Sequence, residues 1–230
     1  MMTILGLGSY SISDFISFSD EVYFRFFVRQ LEACWPLLIL SSIAGIAIPV
    51  LAGMSKTKAA AIALAISFAI SAITFHFKYF AELSPIGTVF GWAFLIQVPL
   101  LLAWGCLETS RQPFRPSVHA ITGLAISAFG LVLYPLLTRS EEWGWKGAAY
   151  FGMAPDPTVC LCYGLALMAA RPLWTLMLLP IPLVWTFVSW GTLDTFEAKT
   201  ALILPVLALI TIAAIIWKAI RTKAEKDIEA

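Results

Sequence analysis

Residues 59–80 read AAAIALAISFAISAITFHFKYF. The first seventeen, Ala59–Phe75, are alanine, isoleucine, leucine, phenylalanine, serine and one threonine, with no charge among them. As a helix, the full stretch rises about 33 Å at 1.5 Å per residue, enough for a hydrocarbon layer of about 30 Å. The stretch therefore reads as a transmembrane helix. His76 and Lys78 break the pattern at its far end, among Phe75, Phe77, Tyr79 and Phe80.

The rest of the chain agrees. Of its 230 residues 60% are hydrophobic and only 13% charged, against about 25% charged in an ordinary soluble domain. A chain this short cannot hide so much apolar surface in one globular core. Seven spans are predicted: Ala33–Met54, Ala59–Phe80, Pro85–Cys106, Ser117–Leu137, Thr158–Ala170, Leu173–Trp190 and Thr200–Ile220. The fifth, TVCLCYGLALMAA, is too short to cross alone, so six spans plus a re-entrant segment is the alternative. The fold class is an all-α polytopic membrane bundle. An N-terminal interfacial segment covers 1–30, the bundle 31–220, and a charged tail 221–230. Ser19, followed by Asp20 and Glu21, reads as a helix start. Phe18, Val22, Phe26 and Val28 supply the apolar side of the interfacial helix. The opening MMTILGLGSYSISDF lacks the basic flank and cleavage site of a secretory signal.

Counting Lys and Arg gives the orientation. Lys56, Lys58, Arg111, Arg115, Arg171, Lys218, Arg221, Lys223 and Lys226 fall on one side, nine in all. Arg25, Arg29, Lys78, Arg139, Lys146 and Lys199, six, fall on the other. The expected location is a prokaryotic inner membrane, N-terminus outside and C-terminus cytoplasmic. Small residues every fourth position (Ala59, Ala63, Ser67 and Ser71; Ser41 and Gly45; Gly123 and Ser127) predict close helix contacts.

Polar residues out of place in lipid mark the candidate site. His76 lies near the outer hydrocarbon boundary, with Lys78 beyond it. Glu32, Cys34 and Trp35 open the first span at the same height. Asp156, between Pro155 and Pro157, is expected on a rigid, non-helical lead-in, because each proline biases its predecessor away from helix. Pro180 and Pro182 are expected to kink the sixth span and to leave Trp185 and Ser189 on its outer half. Gln97 is the polar amide deep in the third span, expected to hydrogen-bond a neighbouring helix. The candidate pocket is Glu32, Trp35, His76, Lys78, Asp156, Tyr163 and Trp185, with Trp143 and Trp145 nearby. No catalytic residue is assigned and no cofactor is expected. Cys34, His76, Met153 and Cys160 are the candidates for a soft metal ion; the alternative is that the cysteines are small hydrophobes. HExxH, G-x-S-x-G and Walker patterns are absent, and the seventh span has no lysine at mid-membrane to carry retinal.

FSDEVYFRFF, WP, FHFKYFAELSPIG, YPLL, FGMAPDPT and PIPLVW occur in this order between Phe18 and Leu209. In these motifs the chain resembles the prokaryotic multi-pass membrane proteins of domain-of-unknown-function family 6064. The resemblance implies a helical membrane protein, and often a cysteine between the two prolines, where this chain has Asp156. It implies no activity. The expected function is binding or passage of a small solute or ion through a pocket open to the outer face. The alternatives are an accessory subunit of a membrane complex and, third, a metal- or His/Asp-dependent intramembrane enzyme. The expected partners are the lipid bilayer and other membrane subunits or further copies of the chain. A net charge of +1 offers nothing to nucleic acid.

Overall fold

The computed structural model describes residue 16 and residues 18–108, 117–139, 143–169 and 175–229, with 222–229 as backbone only. Seven helices and no β-strand are found among these residues: α1 Asp20–Gly53, α2 Thr57–Leu83, α3 Pro85–Leu107, α4 Val118–Thr138, α5 Pro155–Met168, α6 Pro180–Thr195 and α7 Ile203–Glu229. Five of them (α1, α2, α3, α4 and α7) are long and apolar enough to cross a membrane.

α1 starts where its sequence says it should. Ser19 is extended, and its side chain accepts the Val22 N–H at 3.4 Å. Asp20 and Glu21 complement the positive end of the helix dipole. The expected interfacial helix and first span form one 34-residue element, bent at Cys34 (φ −131°, ψ 25°). Pro36 has no N–H for the Glu32 carbonyl, and its ring crowds that carbonyl, which accounts for the bend. Before the bend, Tyr23, Phe26, Phe27 and Val28 are buried against the protein, while Val22 is exposed.

α2 packs against α1, α3 and α5. Ser67 and Ser71 of its small-residue face are buried, whereas Ala59 and Ala63 are only half-buried. Its last part, Ala72–Phe80, is a π-helix. Pairing from i to i+5 widens the turn, so residues five apart, such as Ser71 and His76, share a face. His76, four residues after the buried Ala72, lies on the inward face. α4 carries a second π segment, Phe129–Leu133, immediately before Tyr134.

α5 is the centre of the bundle. It touches α1, α2, α4, α6 and α7, and every residue from Pro155 to Leu167 is buried. At 14 residues it rises about 21 Å, short of the hydrocarbon thickness. Protein rather than lipid surrounds it, so its apolar character runs all the way round. Its backbone lies hard against α4: a Cβ on Gly164 would stand 2.6 Å from the Gly123 carbonyl oxygen, and one on Gly130 2.6 Å from Cys160 Cβ. The small pair Gly123 and Ser127 thus makes the contact expected of it. Cys162 faces Leu178, Tyr163 faces Thr186, and Asp156 faces Ser189, so α5 and α6 run antiparallel.

α6 differs from the expected kinked span. It begins at Pro180, after a 3₁₀ turn at Leu176–Leu178. Prolines fit a first turn, whose N–H groups have no intrahelical partner. Pro182 cannot serve the Leu178 carbonyl four residues back. Gln97 Nε2 donates to that carbonyl at 3.1 Å instead, so the deep amide, expected to bond a neighbouring helix, bonds the 3₁₀ turn that leads into α6.

The outer surface is apolar. Ile43 is 61% exposed, Val89 62% and Leu209 68%. Such a belt is compatible with a membrane location, where lipid tails are the solvent.

Candidate functional site

Asp156 occupies the first turn of α5, not a non-helical lead-in. Ala154 is the extended N-cap residue, and Pro155 opens the helix. The two prolines remove N–H groups that a first turn would leave unpaired. The carboxylate sits at the positive end of the helix dipole, which favours its charge. It is 7% exposed.

Three donors converge on it. Trp185 Nε1 donates to Oδ1 at 2.7 Å, and Ser189 Oγ to Oδ2 at 2.9 Å. The Tyr134 hydroxyl also donates to Oδ2. Trp185 and Ser189 are four apart on α6 and therefore share a face. The site joins α4, α5 and α6, which carry these residues 22 to 33 positions away in sequence.

His76 belongs to the same centre without bonding to the carboxylate. Its ring stands edge-on to Trp185 at 4.8 Å between centroids, and 4.4 Å from Phe94. Phe75, Phe80 and Phe90 complete an aromatic shell. The histidine is fully buried, and neither ring nitrogen has a hydrogen-bond partner among the described residues. Trp185 thus holds Asp156 with its N–H and His76 with its ring. Aromatic pairs of this geometry contribute about 0.5–1.5 kcal/mol beyond area burial.

A cleft of about 10 Å³ reaches Asp156 between α1, α4 and the loop at Gly147 and Ala149, lined by Tyr23, Phe27, Tyr134 and Thr138. That volume is about one water molecule. The loop is tied down by the Ala149 N–H, which donates to Thr138 Oγ1 at 3.0 Å, and by Gly152 N–H, which donates to Thr158 Oγ1 at 2.9 Å. Gly152 has φ +75°, and a Cβ there would meet Ser41 Oγ at 2.7 Å; both facts require glycine. In the same loop the Tyr150 hydroxyl donates to the Trp145 carbonyl at 2.8 Å, and partial burial pushes its phenol above the usual range.

Of the seven candidate pocket residues, the structure brings together Asp156, Trp185 and His76. Tyr163 is buried on α5 two turns further in, its hydroxyl 2.7 Å from Thr186 Oγ1. Glu32 is exposed and pairs with Lys146 at 3.1 Å. Trp35 is 60% exposed. Lys78 points outward, with its ammonium 5.2 Å from the Tyr79 ring. Glu32 does line a separate outer groove of about 530 Å³ with Arg25, Arg29 and Trp143. Of the metal candidates, Cys34 is half-buried at the α1 bend, Cys160 packs on Gly130, and the Met153 carbonyl accepts from Gln30 Nε2 at 3.0 Å. Among the described residues no three His, Cys, Asp or Glu side chains gather as a metal site.

Sequence reading missed Tyr134 and Gln30. Tyr134 sits in YPLL, where its direction depends on the preceding π turn. Gln30 is buried and donates to Thr74 Oγ1 at 2.8 Å; a glutamine amid FVRQLEACW reads as surface.

A family model matches residues 20–226, nine-tenths of the chain. The chain belongs to the family of unknown function DUF6064. No curated protein and no solved structure matches it.

Proposed function

We propose that this is a multi-pass protein of a prokaryotic cell membrane, with its N-terminus outside and its C-terminus in the cytoplasm, which takes up and releases a proton at Asp156 from the outer face. The observation that carries this reading is a buried carboxylate, held by Tyr134, Trp185 and Ser189, that lines a small cleft with room for one water. An ionisable group inside a membrane bundle is costly, and a functional role is its default reading. The cleft favours a proton carried by water over a larger solute, which would require α1 and α4 to part. Two of Asp156's neighbours are hydroxyls, and a hydroxyl both accepts and donates, so Tyr134 and Ser189 suit proton transfer. Trp185 keeps the carboxylate in place, and the aromatic shell around His76 keeps bulk water from the far side.

Infrared difference spectra of the protein in nanodiscs, recorded on acidification, test this. A carboxylic-acid C=O band that appears in the native protein and is missing from Asp156→Asn is the expected result. Identical spectra from the two proteins would refute the proposal.

A further inference from the structure

At the end of the bundle away from Asp156, α4 and α7 part to leave a groove of about 690 Å³. Its walls are apolar: Ile210, Ala213 and Ala214 of α7 face Val118 and Thr122 of α4. Two successive alanines on α7 open the gap, since a larger side chain at either position would fill it. A void between helices in lipid forfeits dispersion contacts on both walls, so something of matching apolar character occupies it.

The groove is not apolar throughout. Ser117, His119 and Arg221 line it at the start of α4 and the end of the apolar part of α7. The Arg221 guanidinium lies over the Trp217 ring at 5.3 Å. Stacking holds the planar fork in place while its N–H edge stays suited to a bidentate oxyanion. Trp217 is 58% exposed, as befits an amphipathic ring at a membrane boundary. Lys218 is engaged elsewhere: its ammonium donates to the Ala169 carbonyl, with Glu108 as the neighbouring charge. The sequence count assigns nine Lys and Arg to this side of the membrane, against four acidic residues, Glu108, Glu225, Asp227 and Glu229.

We infer that the α4–α7 groove binds one phospholipid with an anionic headgroup. One acyl chain lies along Ile210, Ala213 and Ala214, and the phosphate meets Arg221 beside His119. A groove of this kind is also what a subunit interface presents. An apolar helix from another subunit would cover the walls, but it would leave Arg221 unmatched at the boundary, whereas a phosphate matches both. Basic pockets between helices on the cytoplasmic side are a recurring form of headgroup recognition.

Native mass spectrometry of the detergent-solubilised full chain, titrated with phosphatidylglycerol, phosphatidylcholine or inorganic phosphate, tests this. The native protein should retain one phosphatidylglycerol, and prefer it over phosphatidylcholine. Arg221→Gln should weaken phosphatidylglycerol binding roughly fivefold, the effect of one surface cation, and weaken phosphatidylcholine less, because its own choline cation already offsets the phosphate. Ala214→Phe, which fills the groove, should weaken both lipids. Equal retention by all three proteins would overturn the inference. So would binding of inorganic phosphate as tight as that of the lipid, or a second copy of the chain that is lost in Ala214→Phe while lipid retention stays the same.

Discussion

Trp185 is the residue on which the centre turns, because its two ends do different things. The indole N–H satisfies Asp156, and the ring packs on His76, Phe90 and Phe94. Trp185→Phe keeps most of the ring and removes the donor. The expected loss is about 1.5–3 kcal/mol, the range for hydrogen bonds to charged groups, read as a lower melting temperature in detergent. His76→Phe should behave oppositely. The histidine buries two ring nitrogens without a partner among the described residues, and an unpaired buried polar group costs about 1–3 kcal/mol on mutational scales. A phenylalanine would continue the aromatic shell, so the melting temperature should hold or rise. A clear fall for His76→Phe would show that the ring makes a bond this packing does not hold.

Among the helices, the α4–α5 contact is the least forgiving. A Cβ on Gly164 would lie 2.1 Å from Ser127 Oγ and 2.6 Å from the Gly123 carbonyl oxygen. The hydroxyl can rotate away, but the carbonyl belongs to the α4 backbone and cannot move without the helix. Gly164→Ala should therefore cost about 1–3 kcal/mol by overpacking, and Ser127→Ala in the same chain should not restore it. Thermal unfolding of the single and double variants decides this. The shift also carries a functional signature, since parting α4 from α5 moves Tyr134 relative to Asp156. The same contact gives Cys160 its role: it is a small side chain where Gly130 needs one.

Across the whole molecule, helix order and charge agree. Asp156 opposite Ser189 and Cys162 opposite Leu178 set α5 against α6. Lys218 reaches the Ala169 carbonyl, which puts the end of α5 beside the second half of α7. If the antiparallel α5 and α6 both cross, or both turn back within the membrane, the number of crossings is odd and the termini lie on opposite faces, as the proposed orientation requires; one re-entrant segment among six spans would put them on the same face. Combined with the nine-to-six Lys and Arg distribution, a reporter fused after Lys226 should be active only if it works in the cytoplasm. A periplasmic reporter active at that position would reverse the orientation.

The sequence by itself determined what depends on local pattern and composition. The run Ala59–Phe80 is a helix because its residues are apolar and helix-compatible over a membrane's thickness. Ser19 caps α1 because a hydroxyl before Asp20 and Glu21 can serve an orphan N–H. Gly123 and Ser127 lie at a close contact because only small residues permit one. Gln97 met the backbone of the turn before α6 because a buried amide needs a partner. The family followed from short motifs in order. Tertiary structure decided which polar residues face inward. Glu32, Trp35, Lys78, His76 and Asp156 map to similar depth on straight helices, so depth alone cannot rank them. His76 continues the buried face of Phe68 and Ala72 while Lys78, two residues on, stays out, and which face of α2 is inward is fixed only by its neighbours. Pro155 and Pro157 read as breakers, but at a helix start they cost nothing, so Asp156 became helical. Tyr134, Trp185 and Ser189 reach Asp156 from positions 22 to 33 residues away, a convergence made only when α4, α5 and α6 pack, because a buried carboxylate must find its donors wherever the fold brings them.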